Sequence, residues 1–407
     1  MISTPHFLVS HPTGNTFVRS LLAELEKKNQ LKRFFTTIGF GEEASPFFSY
    51  LKARRGYHIP DSKISRQWFP ECFRLIAKQS HDKSIKLTDQ SYRELDTKVS
   101  NLIGFNGSSV FHAYEDGAAS SFLRAKDFGI QCSYELPIAH WKTIRHLLAE
   151  EAERHPHWEP TLVSTREPEE KLIRKEAELK LADRITCPSQ FVMDSIPIEI
   201  RKKIPCQIAP FGSPDSEPMR LEKKSRNNSP FKLLFVGSMT QRKGLADLFE
   251  AMQLLKKEPV TLSILGQPSM PREFYRKQCP NFKYFPPCSN EKVRQVMKKH
   301  DALVLPSIVE GRALVQQEAL SCGLPIIVTP NSGGEDLISE GITGHLVPIR
   351  SPQKIAEKIN ACLQSKLKSN EIQIYCKEKA NLYKWSAYAQ RIIDFNLSKN
   401  GKIADNI

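Results

Sequence analysis

Two glutamates, Glu310 and Glu318, stand eight positions apart in the stretch DALVLPSIVEGRALVQQEALSCGLPIIVTPNSGGEDLISEGITG. Carboxylates recognise sugars by accepting from paired hydroxyls, a charge-assisted hydrogen bond. Eight positions are close to two helical turns, so where the segment is helical both side chains can face one cleft. Glu310 precedes Gly311, which lets its carboxylate enter that cleft. Upstream, the turn GSMTQRKG (Gly237 to Gly244) sets Arg242 and Lys243 at a predicted helix start. Cations there oppose the helix dipole unless an anion lies between them. A diphosphate held by Lys243 and backbone N–H groups resolves that conflict. A third loop, NSGGED (Asn331 to Asp336), offers the N–H groups of Gly333 and Gly334. Taken singly, these are equally an exposed basic turn, two surface glutamates and a left-handed turn. Their convergence points to one site.

The elements that must hold them are short. ALVLPS and PIIVTP are apolar runs suited to buried parallel strands, and VQQEALSC is a helical segment ended by Gly323. Glu310 then lies in the loop at the carboxyl end of a strand, where open α/β sheets bind ligands. Strands KLLFVG, TLSILG and GHLVPI, with helices LADLFEAMQLLKK, NEKVRQVMKKHD, GEDLISE and PQKIAEKINACLQS, complete a doubly wound domain. EKANLYKWSAYAQRIIDF reads as one last amphipathic helix.

The first half alternates in the same way. HFLVS runs through HPTGNT into a helix, and Gly14 in that turn allows close backbone approach. LKRFFTTIGF, FNGSSVFHAY, IQCSYELP and RITCPSQF read as strands; PECFRLIAKQ, TDQSYRELDTKVSNLI and GAASSFLRAKDFG read as helices. From Trp141 to Asp183 the chain is charged and helical, with its charges expected mostly on solvated faces. PFGSPDSEPMRLEKKSRNNSP has linker composition. The expected organisation is a first domain over 1–212, a linker over 213–230, a second domain over 231–384 and a closing helix over 385–407.

Composition bounds the partners. A net charge of +14 over 407 residues favours anionic ones: nucleotide, phosphorylated sugar, anionic lipid surface or nucleic acid. The basic residues recur in small groups without interleaved aromatics, which argues against a nucleic-acid platform. Nine scattered cysteines form no CxxC pair and no zinc spacing, which implies reduced thiols and a cytoplasmic setting. The start MISTPHFLVS lacks the basic and apolar regions of a secretory signal, and no apolar run approaches membrane-spanning length.

FVGSMTQRKG, ALVLPSIVEGRALVQQEALSCGLPIIVTPNSGGEDLI and EGITGHLVPI, in this order and spacing, resemble the nucleotide-sugar domain of retaining glycosyltransferases of family 4, glycosyl transferases group 1. The resemblance is close over about 232–365 and looser in the first half. It implies a GT-B fold: two Rossmann-like α/β domains facing a cleft, with the last helix crossing back to the first domain. It implies transfer from a nucleoside-diphosphate sugar to a glycan, lipid-linked or glycolipid acceptor, with no metal and no other cofactor. Peripheral contact with an anionic membrane is compatible with it.

Carried over by position, Glu310 matches the glutamate beside the transferred sugar, and Glu318 the one on the nucleotide ribose. Lys243 matches the lysine on the diphosphate, and Gly14 the first-domain loop facing the phosphates. Gly237, Gly311, Arg312, Ala313 and Leu314 line the donor in this reading. The family's arginine after the strand-end glycine is here Ser238, which leaves Arg242 to supply a second charge. Arg312 and Ala313 replace an aromatic and a small residue, and imply a further anion contact. IQCSYELPIAHW offers Glu135 and His140 where the family often has a catalytic histidine. A module that binds nucleotide sugar or glycan without turnover, and a transferase acting on a soluble phosphorylated sugar, are the alternatives.

Overall fold

The computed structural model describes residues 5–45, 52, 55–68, 81–104, 107–216, 229–365 and 369–398. The expected helix PECFRLIAKQ and most of the linker lie outside these residues. Among the described residues two sheets organise the chain, and every strand pairing is parallel.

The first sheet comprises β1 (Phe7–Ser10), β2 (Leu31–Thr36), β3 (Ile64–Arg66), β4 (Val110–Tyr114), β5 (Gln131–Glu135), β6 (Arg184–Cys187) and β7 (Cys206–Ile208), in the order β3-β2-β1-β4-β5-β6-β7. The second comprises β8 (Phe231–Val236), β9 (Val260–Leu265), β10 (Phe282–Phe285), β11 (Ala302–Leu305), β12 (Ile326–Val328) and β13 (Gly344–Leu346), in the order β10-β9-β8-β11-β12-β13. In both sheets the order of the strands reverses beside the first one, between β1 and β4 and between β8 and β11. That reversal opens a crevice at the carboxyl ends of the strands. The doubly wound α/β architecture expected from the sequence is what the chain adopts.

The apolar runs explain the strands. FLVS, VFHAY and ALVL are buried at every position, as expected where helices cover both faces of a parallel sheet. Periodicity explains the helices: Phe17, Val18, Leu21, Leu22 and Leu25 form the buried face of Thr16–Lys27. The closing helix Trp385–Leu397 packs against that helix and places Tyr388, Ala389, Ile392 and Ile393 in the first domain's core.

Four expectations change. The tail is two helices, Ser369–Asn381 and Trp385–Leu397, because it breaks where it meets the 211–213 segment. There the Ser213 N–H donates to the Tyr383 carbonyl at 2.9 Å, and a Cβ on Gly212 would stand 2.4 Å from the Trp385 nitrogen. GEDLISE forms only a single turn, Glu335–Leu337, because Thr343 captures the chain that would continue it. The Thr343 hydroxyl donates to the Leu337 carbonyl at 2.9 Å and accepts from the Ser339 N–H at 2.7 Å. Strands β3, β7 and β10 are short edge segments that the hydropathy pattern does not announce. Finally, most charges of the 141–183 stretch remain accessible as expected, but three do not: Glu151 and Glu178 are fully buried, and Lys175 nearly so.

Candidate functional site

Strands β8, β11 and β12 are neighbours, so the loops leaving their carboxyl ends converge. The β8 loop folds as a tight turn over Gln241–Lys243 and closes at Gly244, with φ 71°. A Cβ at Gly244 would lie 1.9 Å from the Pro306 carbonyl oxygen, so this close approach requires glycine. In the turn, the Ser238 carbonyl accepts from the Thr240 N–H at 2.9 Å. The Gly237 Cα faces the Lys243 stem, whose Cε would be 3.5 Å from a Cβ placed there.

Glu310 meets this turn. Arg242 Nη1 donates to Glu310 Oε1 at 2.7 Å, and Lys243 Nζ forms an ion pair with the same oxygen. Arg242 Nη1 also donates to the Val309 carbonyl at 3.0 Å, while its own carbonyl accepts from the N–H groups of Ile308 and Val309. Burial works to raise the Glu310 carboxyl, but Lys243 and then Arg242 outweigh it and hold it below the usual carboxylate range. Burial pushes the Lys243 ammonium down; Arg242 adds to that, and the pull of Glu310 does not restore it. Two half-buried cations thus share one carboxylate. The surplus positive charge makes this a place for an anion.

The NSGGED loop braces the same glutamate. The Asn331 carbonyl accepts from the Glu310 N–H at 3.1 Å, and Asn331 Nδ2 donates to the Ile308 carbonyl at 2.8 Å. Gly333 has φ 73°, and a Cβ there would lie 1.9 Å from the Gly311 carbonyl oxygen. Its N–H donates to Pro330 at 2.9 Å, so one of the two N–H groups expected to be free is used inside the turn. Arg312 is a brace as well. Its buried guanidinium donates to both Asp336 oxygens, at 2.7 and 3.0 Å, to the Gly333 carbonyl and to Gln317 Oε1.

The remaining positions make other contacts. The Ala313 N–H donates to the Ser332 carbonyl at 3.1 Å, and Leu314 packs on the first domain's core. Glu318 lies on the Leu314–Ser321 helix, where burial raises its carboxyl against the attraction of Arg294. Gly311 faces the first domain, where a Cβ would stand 1.7 Å from the Pro137 carbonyl oxygen; Ser189 Oγ donates to the Gly311 carbonyl at 2.6 Å. His140, close behind Pro137, caps the Trp141–Arg154 helix, and its Nε2 lies 3.1 Å from Glu176 Oε1. Burial lowers its pKa to about 4, so it is neutral near pH 7. Gly14 follows β1, where a Cβ would meet Tyr57 Oη at 2.8 Å. Glu135 is buried and accepts from the Tyr388 hydroxyl.

Sequence reasoning missed Glu151, Trp158, Thr161 and Gln241, which join the two domains beside the turn. Glu151, His155 and Asp247 bring ligand atoms within 4.8 Å of one another, a spacing that could hold a cation. The carboxylates instead take Arg154, Arg350 and Gln241 as donors, so guanidinium groups already supply the positive charge. The available signals were a tryptophan in a charged stretch and a glutamine opening a basic turn.

The family model for glycosyl transferases group 1 matches residues 218–380. The amylovoran biosynthesis glycosyltransferase AmsK of Erwinia amylovora is 26% identical over 157 residues, 34% of this chain and 38% of that protein. A D-inositol 3-phosphate glycosyltransferase of Jonesia denitrificans is 27% identical over 167 residues, 38% of this chain and 39% of that protein. The chain thus matches about two-fifths of the length of these relatives. Among solved structures, sucrose-phosphate synthase of Thermosynechococcus elongatus superposes with a TM-score of 0.63 at 17% identity, covering 96% of this chain and 98% of that one. HepE of Anabaena, in complex with UDP, gives 0.60 at 13% identity, covering 96% and 99%. The overall fold is GT-B.

Proposed function

We propose that this chain, whose second domain belongs to the glycosyl transferases group 1 family, is a retaining glycosyltransferase. In this reading it moves a sugar from a nucleoside-diphosphate sugar to an acceptor hydroxyl, in polysaccharide or glycolipid assembly. The carrying observation is the single carboxylate of Glu310 shared by Arg242 and Lys243 at the carboxyl ends of β8 and β11. A donor diphosphate would take over the two cations and release Glu310 toward a sugar hydroxyl. Lys243 would then offset charge building on the leaving phosphate, and Glu310 would stabilise the oxocarbenium-like centre. Glu318 would accept from the ribose. The Arg242–Lys243 pair carries the charge that a divalent ion supplies elsewhere, so transfer proceeds without metal.

The relatives' names support a glycan product, and the HepE complex makes uracil the first base to try. The Jonesia relative favours, as a second reading, a soluble phosphorylated acceptor. Among the described residues no helix is long and apolar enough to cross a membrane. A lipid-linked acceptor would therefore be met by peripheral contact, helped by the net charge of +14.

A thermal-shift panel of UDP-, GDP- and ADP-sugars tests the donor. Only a donor bound by the native state raises Tm, by an amount that grows with its concentration. NMR of the product made from that donor tests the stereochemistry. Stabilisation by one donor and an unchanged anomeric configuration are expected; no stabilisation by any of them, or inversion, would overturn the proposal.

A further inference from the structure

Gln241 opens the turn that carries Arg242 and Lys243, is fully buried, and has both ends of its side-chain amide partnered. Its Nε2 donates to Glu151 Oε2 at 2.6 Å and to Asp247 Oδ2 at 2.8 Å, while its Oε1 accepts from the Ala246 N–H at 2.8 Å. Its main-chain N–H donates to Thr161 Oγ1 at 3.1 Å. Glu151 and Thr161 belong to the first domain, so the turn is tied across the cleft by both main chain and side chain.

Three further contacts hold the same seam. Trp158 leaves the first domain and enters the second domain's core, with its ring centroid 4.9 Å from Phe274, 5.7 Å from Tyr275 and 5.9 Å from Phe249. Ile308 and Val309, which precede Glu310 and donate to the Arg242 carbonyl, pack with Ala139, Ile144, Leu148 and Leu162 of the first domain. Arg350 pairs with Glu151 and Glu150 while holding φ at 59°, a left-handed conformation that costs an arginine free energy. All of these contacts fix the backbone from which the two cations project.

We propose that Gln241 is a positioning residue for the donor diphosphate, through which the 141–162 segment of the first domain sets Arg242 and Lys243. This rests on the donor reading above. The site is then complete only while the two domains are engaged through this seam, because Gln241 takes its Thr161 and Glu151 hydrogen bonds from the first domain. Preorganised cations lose little freedom when the anion arrives, and misplacement by about an ångström is expensive.

The test is titration of UDP and of uridine into the full chain, as wild type, Gln241→Ala and Thr161→Val, with the guanine or adenine pair instead (GDP and guanosine, or ADP and adenosine) if wild type prefers that base. Calorimetry reads the nucleotide and ligand-observed NMR the nucleoside. Both variants should bind UDP about tenfold more weakly, with uridine unchanged, since only the diphosphate uses the positioned cations. Unchanged UDP affinity in a folded variant overturns the proposal. So does a parallel loss for UDP and uridine, which would mark general loosening. If Gln241→Ala does not fold, Thr161→Val alone decides, because it keeps the side chain's shape and removes only the hydroxyl that accepts from the Gln241 N–H and donates to the Trp158 carbonyl. A wild type that binds none of UDP, GDP and ADP overturns the donor reading itself, and this inference with it.

Discussion

Arg242 and Glu310 lie 68 positions apart in the chain and 2.7 Å apart in the structure, and Lys243 takes the same carboxylate oxygen. The carboxylate therefore competes with any anion for both cations. Glu310→Gln removes that competitor and leaves the cations in place. UDP binding should be retained or tightened in this variant, while transfer falls by about two orders of magnitude for want of transition-state stabilisation. Calorimetry beside a steady-state assay separates the two effects.

Lys243 gives the site a pH dependence. Burial, with Arg242, lowers its pKa from the usual lysine value, and a bound diphosphate would raise it again. The anion favours the ammonium form, so affinity is complete below the free-state pKa and falls as pH rises through it. The loss should begin at lower pH than an ordinary lysine allows, measured as the UDP dissociation constant across an alkaline series. Lys243→Arg should shift the loss upward or abolish it.

Gly311→Ala tests the contact between domains. The added methyl would stand 1.7 Å from the Pro137 carbonyl oxygen, a backbone atom that cannot turn aside. The loop must then retreat and carry Glu310 with it. Activity should fall by about a hundredfold, while the second domain's own core is untouched. Unchanged kcat/KM would show that the seam is not needed.

The closing helix is held by a buried bond. The Tyr388 hydroxyl is 2.8 Å from each oxygen of Glu135, and both residues are almost wholly buried. Burial, and then Glu135, push the phenol well above its ordinary pKa, so it remains a donor. Tyr388→Phe leaves a buried carboxylate short of a partner and should cost about 1–3 kcal/mol in chemical denaturation.

Much of this was legible in the sequence where the signal is local. ALVLPS and PIIVTP announce β11 and β12 by apolar runs, and VQQEALSC is a helix that Gly323 ends with φ 78°. Those three elements place Glu310. The edge strands β3, β7 and β10 are too short to carry a period. GEDLISE fails as a helix because a side chain from outside it, Thr343, takes its backbone groups. Glu151, in a run that reads as solvated, is buried because Arg350, nearly two hundred residues away, meets it across the domain seam. Arg312 was expected at an anion, and Asp336 claims it. Pairings over such separations leave no trace in local pattern.

The most direct measurement is transfer, or donor hydrolysis, by Lys243→Ala and Glu310→Ala beside wild type, using the nucleotide sugar that stabilises the native protein. The account predicts turnover in wild type, with the loss of about two orders of magnitude or more in each variant and both variants still folded. Wild-type turnover in both variants would contradict it.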